Sequence, residues 1–312
     1  MQPLLFEPLF RERIWGGRRL ESLCRKKLPA GKCIGESWEI VDRADAQSVV
    51  RQGPHAGLTL HDLWRGHRSE IFGDEVVDSP RFPVFAKLLD AREKLSLQVH
   101  PPAEVAAALG GEAKTEMWYV AAAEPGAEIF LGLRRGVSQE DFARALSDGT
   151  ATQCLHRLEV KSGDVFFVPS GRLHAIGAGL VIVEIQENSD TTYRVFDWNR
   201  RSEAGSSRPL QIEEAMRSID FADIEPQMIE PDGELLVRTP HFTVEKWSLT
   251  NARPALDHSA AALFVCLRGT VAMAGMEMHR GDFFLVPAGA TEAPLDPRSP
   301  QTDLLRVALP SR

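Results

Sequence analysis

In Lys94-Leu95-Ser96-Leu97-Gln98-Val99-His100, polar and aliphatic side chains alternate without a break. A strand has a side-chain period of two, so Leu95, Leu97 and Val99 share one face and Lys94, Ser96, Gln98 and His100 the other. Such a polar face is either wet or the lining of a polar cavity. The apolar run Phe82-Pro83-Val84-Phe85-Ala86-Lys87-Leu88-Leu89 just before it favours the cavity. Another imidazole, His174, lies 74 residues further on, at the end of a Pro-x-Gly turn. Leu180–Gln186 places Glu184 and Gln186 on one face of a further strand. A carboxylate inside Val-Ile-Val-Glu-Ile is desolvated, which raises its pKa toward values useful for moving protons; a paired structural carboxylate is the competing reading. Lys114, beside Glu116, is either a second proton carrier or an anion ligand.

These side chains must be carried by strands, because the surrounding pattern is mainly short β runs with Gly and Pro turns. Arg13–Gly17, Gly35–Ile40, Ser48–Val50, Ala127–Leu131 and most of the chain beyond Leu155 read this way. Helical spacing appears over residues 59–72, with Thr59 as N-cap and Leu60, Leu63, Trp64, His67 and Ile71 on one face. His67 there reads as a core or edge histidine. Further short helices are expected at Ala103–Leu109, stopped by Gly110-Gly111, at Ser138–Leu146, and at Ile212–Ile219. Residues 222–233, with Pro226, Pro231 and Gly233, read as a linker. An internal repeat is visible as well. Residues 163–174 and 281–292 both read G-D-x-F-[FL]-V-P-x-G-x-x-[HE], the first ending in His174 and the second in Glu292. A duplicated β barrel with one equipped copy follows. The fold expected is mainly β, with a catalytic barrel over residues 1–230 that carries helical insertions and a degenerate, structural barrel over 231–312.

The 312 residues carry 36 Lys+Arg against 44 Asp+Glu, a net charge of −8. That balance argues against nucleic acid or an anionic membrane as partner, so an anionic substrate needs a local cationic cluster. No leader-like start and no apolar run near ~20 residues is present, and the expected location is the cytoplasm. Cys24, Cys33, Cys154 and Cys266 are scattered without a CxxC pair and read as free thiols.

The segment ending in His174 fits the second signature of the cupin superfamily, G-x5-P-x-G-x-x-H, at every fixed position. The first cupin signature is similar to Gln98-x-His100 followed, after the helical insertion, by Glu116. The resemblance implies two jelly-roll barrels and a metal site made of Gln98, His100, Glu116 and His174, a borderline N/O set suited to zinc. A more specific likeness runs along nearly the whole chain. Pro8-Leu-Phe-Arg-Glu-Arg-Ile-Trp-Gly-Gly, Gly35-Glu-Ser-Trp-Glu, Leu95-Ser-Leu-Gln-Val-His-Pro, Lys114-Thr-Glu-Met-Trp-Tyr, Gly171-Arg-Leu-His-Ala-Ile-Gly and Glu184-Ile-Gln-Glu-Asn-Ser-Asp-Thr-Thr-Tyr-Arg-Val-Phe-Asp-Trp resemble the type I phosphomannose isomerases in their short bacterial form. That resemblance implies zinc-dependent interconversion of mannose 6-phosphate and fructose 6-phosphate, with one Zn2+ per chain. Its active-site arginine falls on Arg194, and other family positions fall on Ser96, Lys87, Lys114 and Glu184. Arg172, inside the signature, is expected at the pocket mouth or simply exposed.

Aldose–ketose isomerisation moves a proton between C1 and C2 through a cis-enediol, and it needs a base and an electrophile for the developing oxyanion. A divalent ion and the always-charged Arg194 supply such electrophiles. Alternation puts Arg194 and Phe196 on one face of their strand. With no Gly-rich phosphate loop, the phosphate must be held by Lys114, Arg194 or the Arg200-Arg201 loop. Three rivals stand beside the isomerase: a cupin acting on another phosphosugar, an iron-dependent cupin dioxygenase, and a non-catalytic sugar-binding cupin. The protein is expected to be a monomer or homodimer.

Overall fold

The computed structural model describes residues 1–200, 208–256, 260–290 and 293–311. The mainly β architecture is as the sequence implied, and every strand pair in its sheets is antiparallel. The first barrel has a six-stranded sheet ordered Val165–Val168, Glu116–Ala123, Leu180–Glu187, Val84–Ala91, Ile34–Ile40 and Leu9–Gly17. Facing it is a five-stranded sheet ordered Leu155–Glu159, Glu128–Leu133, His174–Ile176, Leu97–Val99 and Tyr193–Phe196. The second barrel pairs a six-stranded sheet with a four-stranded one, built from residues 235–308. One strand is exchanged: Leu4–Leu5 hydrogen-bonds to Phe284–Leu285 in the second barrel's sheet.

Strand parity separates two interiors. In Leu180–Glu187, Leu180 and Ile182 pack into the apolar end of the first barrel with Trp118, Ile129 and Val168. Glu184 and Gln186 continue that face, so the other end of the barrel is polar. Val181, Val183 and Ile185 point outward and join Met117 and Tyr119 in a cluster with Leu263, Val265, Phe283, Leu305 and Val307 of the second barrel. Leaving such a face in water would cost roughly 1.5–3 kcal/mol per large side chain, so the second barrel's sheet is needed there. The second barrel encloses its own apolar cluster, with Phe264 stacked on Phe284 at 5.3 Å.

The helices follow their caps. Thr59 forms a capping box with Asp62, but the expected 59–72 helix is interrupted: His67, at φ −127°, separates Leu60–Gly66 from Arg68–Ile71. Ala103–Ala106 passes into a 3-10 turn ending at Gly110, whose φ of 68° only glycine adopts freely. Ser138 caps Gln139–Ser147, and Ile212–Ser218 forms as expected. The 222–233 linker lies against the first barrel, with Ile224 bridged to Leu133 and Ile229 N donating to Val165 O. Both copies of the repeat close the same Pro-x-Gly-x turn, Arg172 N to Pro169 O and Ala290 N to Pro287 O. Glu292, the second copy's last position, lies outside the described residues. Among the described residues no helix is long and apolar enough to cross a membrane.

Candidate metal centre and active site

Register assembles the polar end of the first barrel. His174 stands opposite Gln98, and Gln98 opposite Arg194, so three neighbouring strands present these residues side by side. Across the barrel, Glu184 stands between Lys87 and Trp118, and Gln186 beside Glu116. The Gly171 turn (φ 90°) aims His174 inward, and Gly171 N donates to His100 O at 2.8 Å.

His100, Glu116 and His174 are all buried, with ligand atoms within 4.8 Å of one another. Glu116 Oε2 is 3.5 Å from His100 Nε2, and Oε1 is 3.6 Å from His174 Nε2. A tetrahedral ion with ligands at about 2.1 Å needs ligand separations of about 3.4 Å, close to both distances. Each imidazole is oriented from behind: His100 Nδ1 bonds Thr191 O at 2.9 Å and His174 Nδ1 bonds Arg172 O at 2.8 Å. A carbonyl can only accept, so Nδ1 carries the proton and Nε2 presents its lone pair to the centre. His174 Nε2 and Glu116 Oε1 are buried with no hydrogen-bond partner, the condition expected of ligand atoms. Burial, and then the neighbouring His100, lower the His174 pKa to about 3; burial and Lys114 lower that of His100. Both rings are therefore neutral at pH 7, as ligation requires. Burial would raise the Glu116 carboxyl, but the Lys114 ammonium holds it well below the usual carboxylate range. Gln98 lines the adjoining cavity next to His174 and can add an amide oxygen to the set.

From this group a chain of alternating charge runs across the barrel. Lys114 Nζ is 2.7 Å from Glu116 and 3.7 Å from Glu184, and Glu184 is 2.8 Å from Lys87 Nζ. Trp118 Nε1 donates to the other Glu184 oxygen at 3.1 Å. Burial and then the Glu116 carboxylate push the Glu184 pKa up, against the pull of Lys87 and Lys114. Burial opposes the charge on Lys87, but Glu184 and Glu36 overcome it and raise its pKa. Glu36 ends the chain, taking Nε and Nη2 of Arg13 at 2.9 and 3.1 Å and Trp38 Nε1 at 2.7 Å.

A cavity of about 460 Å³ opens over this end of the barrel, lined by Ser96, Gln98, Lys87, Lys114, Glu184 and Arg194 among others. The lining also includes Glu36, Arg13 and Arg208, which the sequence reading passed over as site residues. The available signal was Gly35–Ile40, where carboxylates recur in a strand otherwise fit for a core. Arg194 Nε donates to Ser96 Oγ at 3.3 Å and Nη1 to Pro209 O at 2.9 Å.

Four local expectations change. The polar strand is shorter than its alternation, Leu97–Val99 only. Residues 94–96 are held by one backbone bond, Leu95 N to Ile176 O, and by side chains: Arg200 Nη1 to Lys94 O, Trp198 Nε1 to Leu95 O, and Arg194 to Ser96. A register shift between Arg194 and Phe196 breaks their shared face, and Phe196 packs with Tyr193 and Val195. Arg172 is neither at the cavity nor exposed; its Nε and Nη2 fork onto Asp223 at 2.8 and 2.7 Å. Arg200 turns away from the cavity toward Asp197, and Arg201 lies outside the described residues.

Residues 4–139 match the family model described as phosphomannose isomerase type I, catalytic domain. The chain is 37% identical over 299 residues to the probable mannose-6-phosphate isomerase GmuF of Bacillus subtilis, covering 92% of this chain and 93% of that one. It is 36% identical to the mannose-6-phosphate isomerase of Streptococcus mutans, covering 92% of each. The crystal structure of the mannose 6-phosphate isomerase from Bacillus subtilis superposes with a TM-score of 0.88 at 29% identity, over 99% of this chain and all of that one.

Proposed function

Because the chain belongs to the type I phosphomannose isomerases, we infer that it interconverts mannose 6-phosphate and fructose 6-phosphate with a single zinc ion per chain. The observation that carries this is the buried His100–Glu116–His174 group with orphaned ligand atoms, set beside a cavity lined by Lys114, Glu184 and Arg194. Gln98, His100, Glu116 and His174 would hold the ion, which when bound supplies a Lewis acid for the sugar oxygens.

The remaining chemistry belongs to the side chains. Glu184 is buried and its proton affinity is raised, so it suits the transfer of a proton between C1 and C2. The proton taken from C2 of the aldose is returned to C1 of the ketose, and no redox partner is required. Lys114 stands between Glu116 and Glu184, where an ammonium can hold a substrate hydroxyl and steady both carboxylates. Arg194 places a permanent positive charge one strand from Gln98, where negative charge on the enediolate develops. Lys87 compensates Glu184 from below, and Ser96 receives Arg194 and fixes its fork. The second barrel, in this reading, supports the catalytic barrel's outer face.

Incubation with mannose 6-phosphate should yield the ketose, and a chelator should abolish turnover until zinc is restored. His174→Ala should lose both metal and turnover while keeping the β circular-dichroism signature. Oxygen consumption with iron as the active metal, and no ketose formed, would overturn the reading in favour of a dioxygenase.

A further inference from the structure

Asp197 follows the strand that carries Arg194, and two other arginines share its carboxylate. Arg208 donates from Nε to Oδ2 at 2.7 Å and from Nη2 to Oδ1 at 2.5 Å. Arg200 donates from Nε to Oδ1 at 3.2 Å, and its Nη1 is committed to Lys94 O at 2.5 Å. Arg200 is thereby spent on holding the chain, whereas Arg208 lines the cavity. The segment after Arg208 explains its placement. Arg194 N donates to Gln211 Oε1 at 3.0 Å, Gln211 N donates to Arg194 O at 2.9 Å, and Arg194 Nη1 reaches Pro209 O. Residues 209–211 are thus laid along the Arg194 strand, which brings Arg208 back onto Asp197.

Among the described residues three guanidinium groups here face one carboxylate, Asp197, a local excess of positive charge in a protein whose net charge is −8. Burial, and then the nearness of Arg208, disfavour the charge on Arg194. Among the described residues no acceptor faces Arg208 Nη1 or Arg194 Nη2. Such a cluster is complete only when a doubly charged anion accepts from those free edges. Its position along the cavity fits one end of a hexose phosphate. His174, Gln98 and Arg194 lie on consecutive strands, so Arg194 is about two inter-strand spacings, ~10 Å, from the metal-binding imidazole. Arg208 lines the same cavity as Arg194 and is followed by Pro209, whose carbonyl takes Arg194 Nη1.

We propose that Arg208 donates to the substrate's phosphate and so selects phosphorylated over free hexose, and that Asp197 is the positioning residue that aims it. The proposal rests on the isomerase reading above and assigns the phosphate end of the same cavity. Asp197 touches no substrate in this scheme; it locks the Arg208 fork and leaves Nη1 free.

The test is steady-state kinetics with mannose 6-phosphate together with calorimetric titration of inorganic phosphate, on zinc-loaded wild type, Arg208→Ala, Asp197→Asn and Asp197→Glu. Losing one charge-assisted donor to phosphate should raise KM about 10- to 150-fold in Arg208→Ala, change kcat much less, and weaken inorganic phosphate by a similar factor. Asp197→Asn should move KM the same way by a smaller factor, and Asp197→Glu should recover part of it. An unaltered KM in Arg208→Ala, or a loss confined to kcat, would overturn the proposal. So would a lowered melting temperature accompanied by unchanged phosphate affinity, the result expected of a purely structural ion pair. If wild type failed to isomerise mannose 6-phosphate, the isomerase reading would fall, while the phosphate titration would still decide whether Arg208 holds the anion.

Discussion

Arg194→Ala separates catalysis from architecture because, among the described residues, the guanidinium makes no ion pair of its own. The Asp197 carboxylate beside it is taken by Arg200 and Arg208, and the acceptors Arg194 reaches among the described residues are the neutral Ser96 Oγ and Pro209 O. Two such hydrogen bonds are worth about 2 kcal/mol together. Part of that is returned, because deleting the cation relieves its crowding by Arg208 and Arg200 in a half-buried position. Against a total stability on the order of 5–15 kcal/mol the variant stays folded, with a melting temperature lower by a few degrees at most. If Arg194 stabilises charge that develops in the transition state, kcat should fall about 10²–10³-fold, equivalent to ~2.7–4 kcal/mol. KM should move less than kcat, and zinc content should hold, since among the described residues the Arg194 side chain makes no hydrogen bond to any proposed ligand. Melting temperature, zinc by mass spectrometry and kcat are read on one preparation. A folded variant with normal turnover refutes the catalytic role, as does a variant that loses many degrees of stability while its folded fraction turns over normally.

The Asp223 fork fixes Arg172, whose carbonyl orients His174, so Asp223→Asn should weaken zinc binding about 10-fold in chelator competition while leaving the cavity residues untouched. Lys87→Met strands the buried Glu184 and should cost about 2–4 kcal/mol in urea unfolding, less than a fully orphaned charge because Lys114 and Trp118 remain; adding Glu184→Gln should recover at least ~1 kcal/mol, and strict additivity would argue against the pairing. Glu36 has its carboxyl lowered: burial pushes it up, but Lys87, Arg13 and Trp38 overcome that. A depressed folded-state pKa stabilises above the unfolded value near 4.5 and is lost as pH falls through the folded value, so Glu36→Gln should flatten the drop in melting temperature below about pH 4.5 relative to wild type; parallel pH profiles would contradict it.

The candidate metal group was legible through its likeness to the cupin signatures and through local strand and turn patterns. A strict alternation carries Gln98 and His100, and a Pro-x-Gly turn fixes the direction of His174. Glu184 was legible from a local pattern too, an acid within an otherwise apolar strand. Arg208 was not, because its placement depends on a return of the chain onto the Arg194 strand and on a carboxylate eleven residues earlier, which periodicity does not encode. Glu36 was hidden in a strand whose burial pattern is uniform, so only the partners across the barrel distinguish it from a structural acid. The bulge beside Arg194 and the break at His67 are tertiary outcomes too, and each shifts a face that spacing alone would have kept in step.

The exchanged N-terminal strand makes the order of synthesis matter. Leu4 and Leu5 find their strand partners at Leu285 and Phe284, while Leu5 O also accepts from Arg51 N. At about 5–20 residues per second, the ribosome delivers those partners roughly 15–60 s after the first strand has emerged. Over the last part of that interval, roughly 5–20 s, the outward face of Val181, Val183 and Ile185 has been made but is uncovered, because Leu263, Val265 and Leu305 are still to come. The nascent first barrel therefore spends a long moment as an adhesive object whose Leu4–Leu5 strand still lacks its sheet neighbour. A chaperone that recognises exposed aliphatic strands has its natural window there, and slowing translation downstream of Gln186 would lengthen it.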